Sequence, residues 1–342
     1  MRRFKRFRQI FLIIPILLFN QCFNIVDVMD KANELYEKKD YAGAIIEYSK
    51  VILKKPNTVG AMECYYNRAT AKLLTDDYAG AVSDFNQCIG TNVNDTLAYF
   101  RRGLAKYYLE NYESAISDFN KAISLSPRSN FYNERARCYY FIDKYYQAID
   151  DLDQAISMYE RDYDSYMIRG HCYYFLSEYE KSISDLTKSI EINPRNEDAY
   201  FYRGTTFKEM KYYIDAQNDF TKTIELDPKY EKAYRNRGIV KSLLSDYRGA
   251  ILDFNKAIEL NPNYHEALHN RADMKYRLSD YRGALQDMNL AISIEPNEPY
   301  YYYSRGIIKI YLDNTESGCL DLSKAGELGV SEAYDAIKRY CK

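Results

Sequence analysis

The hexapeptide SDYRGA occurs twice in this chain, at Ser245–Ala250 and again at Ser279–Ala284, with an interval of 34 residues. Longer related segments contain both copies: DYRGAILDFNKAIELNP at 246–262 and DYRGALQDMNLAISIEP at 280–296. A third relative, NYESAISDFNKAISLSP, stands upstream at 111–127. A fixed period of about 20–50 residues indicates a repeat architecture. The sequence therefore predicts one small structural unit that is used many times.

The repeat aligns as nine copies, whose residues we number from position 1 to position 34. The copies begin at Ile25, Met62, Thr96, Ser129, Tyr163, Glu197, Glu231, His265 and Pro299. The first interval is three residues longer than the period, and we expect the extra residues in the loop around Pro56–Ala61. Positions 8 and 20 are small in every copy, as two closely packed antiparallel helices require. Proline at position 32 of six copies ends a second helix, so each copy is a hairpin of helix A and helix B.

This pattern resembles the tetratricopeptide repeat over residues 25–330: small residues at 8 and 20, tyrosine at 4 and 17, a large apolar residue at 24 and proline at 32. The resemblance implies an all-α fold, a right-handed α-solenoid of antiparallel helix hairpins. Residues 331–342, SEAYDAIKRYCK, follow the last copy, and Ala333, Ala336, Ile337 and Tyr340 share one apolar face. We expect this segment to be a C-terminal capping helix with a polar outer face.

A charged pair recurs in copies two to nine, with arginine at position 7 and aspartate at position 23. Because positions 8 and 20 face each other, these two columns lie close together on one hairpin, within reach of the adjacent copy. We expect an ionic ladder that fixes the stacking register; the alternative is a charged binding stripe. The arginines are Arg68, Arg102, Arg135, Arg169, Arg203, Arg237, Arg271 and Arg305, and the aspartates are Asp84, Asp118, Asp151, Asp185, Asp219, Asp253, Asp287 and Asp321.

The resemblance implies a non-enzymatic scaffold that binds an extended peptide or a partner protein along the concave side, at positions 2, 5, 6, 9, 12 and 13 of helix A. Rings at these positions would cover apolar side chains, and amides would hold the peptide backbone. The candidates are Asn33, Tyr66, Asn67, Phe100, Arg101, Tyr107, Tyr140, His171, Tyr174, Phe201, Asn236 and Asn270. We expect Tyr140, Tyr174 and Phe201 to form an aromatic hot spot. The alternative is that some rings only fill space between helices.

A subclass of the family grips a C-terminal carboxylate with two asparagines and three basic residues. Copies one to three match that set at Asn33, Asn67 and Arg101. They depart from it at Met29 and Leu97, so this sequence carries three of the five residues.

Composition argues against several other functions. The chain has 342 residues and a formal net charge of −2, and no basic stripe follows its first eight residues, so nucleic acid is not an expected partner.

The string HEALH at His265–His269 matches a zinc-hydrolase motif, but the remaining histidine, His171, lies three copies away. A zinc metallohydrolase is therefore the weaker alternative, and a self-assembling structural module of the cell envelope is the other. We expect neither an enzyme nor a cofactor.

The first residues predict export. MRRFKRFR is followed by the apolar run IFLIIPILLF, which together form a basic and then a short hydrophobic region. Cys22 comes next, so residues 1–22 resemble a bacterial lipoprotein signal, although Asn20 and Gln21 replace the small residues usual before the cysteine. We expect a protein of the periplasm or cell envelope that is tethered to a membrane through Cys22. The alternative is a signal that is cleaved nearby or kept as an anchor.

Four of the remaining six cysteines form two pairs of different kinds. Cys138 and Cys172 both occupy position 10, on stacked A helices, where packed backbones stay beyond disulfide reach, and we expect them to be small core residues. Cys319 begins the last B helix and Cys341 lies near the end of the capping helix. Since these two helices should run antiparallel, we expect the two cysteines to meet and to form a disulfide in an oxidising compartment.

Overall fold

The computed structural model describes residues 24–56 and 58–341. Within these ranges the chain forms nineteen α-helices and no strand. The helices are α1 Ile25–Glu37, α2 Tyr41–Lys54, α3 Val59–Leu73, α4 Tyr78–Thr91, α5 Thr96–Tyr108, α6 Tyr112–Leu125, α7 Ser129–Phe141, α8 Tyr145–Met158, α9 Tyr163–Phe175, α10 Tyr179–Ile192, α11 Glu197–Glu209, α12 Tyr213–Leu226, α13 Glu231–Leu243, α14 Tyr247–Leu260, α15 His265–Arg277, α16 Tyr281–Ile294, α17 Pro299–Tyr311, α18 Thr315–Glu327 and α19 Glu332–Tyr340. Not one of these described helices is both long and apolar enough to cross a bilayer. The predicted signal at 1–22, including Cys22, lies outside the described residues.

The helices form two compact units, the first ending at Leu125 and the second beginning at Ser126. In each unit, odd-numbered helices are A helices and even-numbered helices are B helices, and every helix packs against the next one in its unit. Each A helix also touches the next A helix of its unit, whereas among the described helices no B helix touches the next B helix of the same unit. The A helices therefore lie on the inner side of each unit, as the resemblance implied.

Helix A begins at position 1 in eight of the nine copies, which confirms the predicted boundaries. The exception is α3, which begins at Val59 instead of Met62. The three extra residues thus extend a helix and do not enlarge the loop, contrary to our expectation. Thr58 accounts for the difference, because its side chain accepts a hydrogen bond from the Ala61 backbone N–H and caps the longer helix.

The turn between helix A and helix B has the same geometry in all nine copies. The residue at position 15 has a left-handed backbone, with φ of 66° at Ser245 and 63° at Ser279. The Ser245 N–H donates to the Ser242 carbonyl at 3.0 Å, and the Asp246 N–H donates to the Lys241 carbonyl at 2.8 Å. These two bonds satisfy carbonyl groups at the end of helix A, as in a Schellman motif.

Four of the five remaining residues of SDYRGA have a structural role. Asp246 caps α14, since its carboxylate accepts from the Gly249 N–H at 2.9 Å. Tyr247 begins the helix, and Gly249 carries no Cβ because one would collide with the Asp246 carboxylate. Ala250 is fully buried. The hexapeptide therefore ends one helix, caps the next and supplies the first small contact between them.

The hairpins close over small residues, as predicted. A Cβ added to Gly306, at position 8, would lie only 2.9 Å from the backbone oxygen of Gly318, at position 20. The large side chains at position 24 fill the space beside these contacts and are almost completely buried. They are Tyr48, Phe85, Phe119, Leu152, Leu186, Phe220, Phe254, Met288 and Leu322.

The ionic ladder is confirmed, and it joins neighbouring copies as well as the two helices of one hairpin. Arg237 donates from Nε and Nη2 to the two carboxylate oxygens of Asp253, at 2.9 and 2.7 Å, and from Nη1 to Thr221 of the preceding copy at 3.2 Å. The first copy uses Lys31 and Glu47 at the same positions, 2.7 Å apart, a substitution that the sequence comparison missed. Six other arginines also donate from Nη1 to the side chain at position 25 of the preceding copy. They are Arg68, Arg102, Arg169, Arg203, Arg271 and Arg305. These side chains are mostly buried, which favours the structural interpretation over a binding stripe.

Candidate functional site

In the first unit, the predicted inner-face residues are largely engaged within the chain. The rings at position 5 pack on the buried rings at position 24: Tyr66 lies 5.8 Å from Phe85 and Phe100 lies 5.7 Å from Phe119, between ring centroids. Tyr107 packs edge-on against Tyr112 at 5.8 Å. These rings therefore contribute to packing, which is the alternative we considered for them.

The polar candidates of the first unit also have internal partners. Asn33 accepts a hydrogen bond from the Tyr48 hydroxyl at 2.6 Å, and Asn67 also hydrogen-bonds to Tyr48. Arg101 lies over the Tyr66 ring, 5.1 Å from its centroid, and donates to Thr70 at 2.5 Å. The three residues that match the carboxylate-binding subclass thus serve contacts between helices.

In the second unit, aromatic rings contact one another along the inner face from α7 to α11. His171 stacks on Tyr202 with centroids 3.8 Å apart, and its Nδ1 lies 3.0 Å from the Tyr140 hydroxyl. Burial lowers the pKa of His171 to about 4, so the imidazole is neutral at neutral pH. Tyr174 lies 5.9 Å from the same imidazole. Phe201 packs on Phe220 and, at 4.9 Å, on Tyr230.

Polar contacts between consecutive A helices lie on the same face. Arg137 forms an ion pair with Asp164, and Asn133 donates to Ser165 at 2.7 Å. Sequence analysis missed these residues, although opposite charges at position 9 of one copy and position 2 of the next could have indicated the pair. Burial raises the pKa of Glu134, while the nearby Arg137 acts in the opposite direction.

Asn236, a predicted peptide-binding amide, has hydrogen-bond partners within the chain. Its side chain is 8% exposed, donates to the Lys232 carbonyl at 2.9 Å and accepts from Lys208 at 3.2 Å. An amide that is buried and bonded on both of its polar atoms supports the packing of α11 and α13, and a peptide-binding role for Asn236 stays a prediction.

An open cavity of about 570 Å³ lies at the other end of the second unit, among α15, α17 and α19; we call it the C-terminal cleft. It is lined by His269, Ala272, Asp273, Tyr276, Tyr303, Ser304, Ile307, Ile308, Glu332, Asp335, Ala336, Arg339 and Tyr340. Rings, aliphatic side chains and carboxylates thus meet on one accessible surface. The predicted binding residue Asn270 does not line the cleft itself, but its neighbour in the sequence, His269, does.

The capping helix α19 forms one wall of the C-terminal cleft. Ala333 and Ala336 are buried and Ile337 and Tyr340 partly so, as the predicted apolar face requires. Cys341 and Cys319 are joined by a disulfide, with Cα atoms 5.9 Å apart, which ties the end of α19 to the start of α18. Gly329 takes a φ of 105° in the turn before α19, a conformation that favours glycine. Cys138 and Cys172 are buried free thiols, as expected.

The two histidines of HEALH hold α15 against α17. His265 Nδ1 lies 2.7 Å from the Tyr301 hydroxyl, and His269 Nε2 lies 3.2 Å from Ser304 Oγ. Across the described ranges, no cluster of three or more histidine, cysteine, aspartate or glutamate side chains is placed to hold a metal ion. This geometry gives the zinc-hydrolase alternative no third ligand.

Two buried side-chain nitrogens near this end of the unit lack a hydrogen-bond partner within the described part of the chain: Arg235 Nε and Asn270 Nδ2. They occupy inner-face positions 5 and 6 of consecutive copies. Buried donors are normally paired, so unpaired ones call for an explanation. Asn270 is a predicted binding residue, and its amide Nδ2 donates no hydrogen bond within the described residues.

Comparison with known proteins agrees with this architecture. Two family models described as tetratricopeptide repeat match residues 96–129 and 231–264, and 163–196, which begin where copies three, seven and five begin. A comparison with curated proteins gave no significant match.

Solved structures show the same fold at low sequence identity. The hetero-tetramer Cut9–Hcn1 of the APC/C matches with a TM-score of 0.59 and 11% identity, over 93% of this chain and 76% of the matched chain. PilF of Pseudomonas aeruginosa gives 0.57 and 17%, over 62% of this chain and 96% of its own. A tetratricopeptide repeat protein of Parabacteroides merdae gives 0.54 and 21%, over 72% and 96%. The nineteen tandem helices of the described residues fit nine repeats and a cap, and the chain therefore contains tetratricopeptide repeats.

Proposed function

We propose that this protein is a scaffold for protein–protein interaction, a function that its fold and its tetratricopeptide repeats support. We propose that its second unit binds an extended peptide segment of a partner protein in the C-terminal cleft. The observation that carries this proposal is the cavity of about 570 Å³ on the helix A side, whereas His171 and Tyr202 on the inner face of α9 and α11 stack on each other. Concave sites that combine apolar walls with a few polar groups are typical of ligand binding.

The lining residues supply what an extended peptide needs. Tyr276, Tyr303 and Ile307 offer apolar surface, and Ser304 and Asp273 offer polar groups at the edges of that surface. No catalytic step is part of the proposal, since the HEALH histidines are engaged with Tyr301 and Ser304.

Site-specific photo-crosslinking in cells tests this function. Ile307→p-benzoylphenylalanine places a reactive group in the C-terminal cleft, and Leu252→p-benzoylphenylalanine is the matched control on the outer B helix α14, where Leu252 is 68% exposed. We expect a crosslinked partner protein from position 307 and not from position 252. Crosslinking from position 252 alone, or from neither position, would contradict the proposed site.

We propose in addition that the protein is exported and tethered to a membrane through Cys22. The basic and then apolar sequence at 1–22 supports export, and the Cys319–Cys341 disulfide suits an oxidising compartment. A reporter fused after Phe23 should leave the cytoplasm, and its retention there would contradict export. Cys22→Ser should abolish membrane fractionation if the cysteine is lipidated. Peptide mapping without reductant should recover Cys319 linked to Cys341, and two free thiols would count against the oxidising compartment.

A further inference from the structure

The walls of the C-terminal cleft carry more negative than positive charge. Three carboxylates line it, Asp273 from α15 and Glu332 and Asp335 from α19, against one guanidinium, that of Arg339. Burial lowers the pKa of His269, so this imidazole adds no positive charge at neutral pH. The carboxylates therefore face the cavity from two opposite helices, and the electrostatic potential between them favours a cation.

Part of this charge is compensated, but by residues that do not line the cavity. Asp273 accepts from Arg277 at 3.0 Å on its own helix, and Asp335 lies 3.3 Å from Lys338. Both pairs are exposed, and exposed pairs are weak, so these carboxylates stay available to a ligand. Glu332 accepts a hydrogen bond from the Ser331 hydroxyl at 3.1 Å, and this neutral donor leaves the charge of Glu332 uncompensated.

The rings in the same walls favour the same kind of ligand. Tyr276, Tyr303 and Tyr340 come from the three helices that enclose the cavity. The face of an aromatic ring attracts a guanidinium or an ammonium group within about 6 Å of its centroid. Carboxylates and rings around one cavity thus suit a positively charged side chain, and Ile307 adds a place for an aliphatic neighbour.

We propose that the C-terminal cleft selects a peptide segment that carries an arginine or lysine next to aliphatic side chains. This inference rests on the proposed function, because it names the chemistry of the peptide that the cleft would take. The occupant is a segment of another protein, and it is chosen by charge complementarity with Asp273, Glu332 and Asp335.

Selection from a phage-displayed library of random octapeptides on the immobilised full-length protein tests the preference. We expect the enriched peptides to contain arginine or lysine beside leucine, isoleucine or valine. The double variant Glu332→Gln, Asp335→Asn should bind the best of these peptides about tenfold more weakly, and added salt should weaken binding to the parent protein more than to the variant. Glu316→Gln with Glu327→Gln is the control, since both residues lie on α18 outside the lining of the cleft.

The outcomes separate this inference from the function beneath it. Enriched peptides that lose affinity for Ile307→Ala but carry no basic residue would overturn the charge preference and leave the site in place. Enriched peptides that bind Ile307→Ala and the double variant as tightly as the parent would overturn both. Failure to enrich any peptide would also overturn both, because an extended peptide would then not be the ligand of this cleft.

Discussion

The two halves of the second unit use one hairpin but present different inner faces. From α7 to α12, the inner face is occupied by stacked rings and ion pairs, as at His171 and Tyr202 or Arg137 and Asp164. From α13 to α19, position 6 changes from the ring of Tyr202 to Asn236, Asn270 and Ser304, and a cavity opens beside the capping helix. The repeated columns therefore build the solenoid, and the variable positions decide whether its inner face is filled or open.

The ionic ladder differs between the same two halves. At position 11, the copies of α13, α15 and α17 have Lys241, Lys275 and Lys309, each within 2.8 Å of the ladder aspartate of its own copy. The copies of α7, α9 and α11 have Tyr139, Tyr173 and Phe207 at this position. Burial raises the pKa of Asp151 and of Asp219 in that half, with the neighbouring arginine acting against the rise. In the half from α7 to α12, each ladder aspartate is thus paired with a single cation, the arginine of its own copy.

The largest expected effect comes from removing that single cation. Arg203→Met should cost about 3–5 kcal/mol of unfolding free energy, because Asp219 would be left buried without a cation. Arg237→Met is the matched change, with the same tyrosine and threonine contacts, but Lys241 remains 2.8 Å from Asp253, so we expect a clearly smaller loss. Urea unfolding of the two variants measures the difference. Equal losses would show that the second cation does not distinguish the two halves.

A second comparison separates packing from binding. Phe201→Ala should cost about 2–4 kcal/mol of stability, because the ring packs on Phe220 and Tyr230. Ile307→Ala should cost about 1 kcal/mol or less and should weaken peptide binding, since Ile307 lines the open cleft. Thermal melts followed by circular dichroism, together with binding isotherms, distinguish the two. If Phe201→Ala lost affinity at unchanged stability, the predicted hot spot of Tyr140, Tyr174 and Phe201 would be the binding site.

The stability of the half from α7 to α12 should also depend on pH. The pKa of His171 is lowered from 6.5 to about 4 by burial, so the unfolded chain binds a proton between these pH values that the folded chain excludes. Stability should therefore fall as the pH falls through this range, by roughly 3 kcal/mol from this residue. His171→Gln keeps a polar partner for Tyr140 and should reduce the slope. An unchanged dependence of the urea midpoint on pH would contradict the assignment to His171.

The smallest expected effect is a gain in stability from glycine at position 15, and it should be the same in both halves of the second unit. Ser177 and Ser279 occupy position 15 with φ of 60° and 63°, a region that penalises residues with a Cβ. Ser177→Gly and Ser279→Gly should each stabilise the protein by roughly 0.5–1 kcal/mol, the relief of this strain exceeding the entropy that glycine loses. Melting temperatures measure both variants. A gain at one site only would mean that the turn depends on its surroundings and not on the hairpin alone.

Much of the fold could be predicted because each copy contacts mainly its neighbours, so one column of the alignment has one environment. The small pair at positions 8 and 20, the buried residue at 24 and the arginine–aspartate ladder each recur at fixed spacing, and the structure contains all of them. The meeting of Cys319 and Cys341 also followed from two antiparallel helices at the end of the chain. The left-handed residue at position 15 was not found, because serine, lysine, glutamate and aspartate share this position without a common side-chain property.

The sequence by itself determined the repeat and its hairpin, since these depend on contacts within about one period. The side of each hairpin that faces inward was implied by the resemblance to the tetratricopeptide repeat. Only the tertiary structure decided which inner-face residues are free. Asn236 and Phe201 contact residues that lie about 30 positions away in the chain. Ile307 and Glu332 instead face a cavity, which exists because α19 lies beside α15 and α17. Such pairings involve variable positions on different copies, and no period in the sequence records which of them meet.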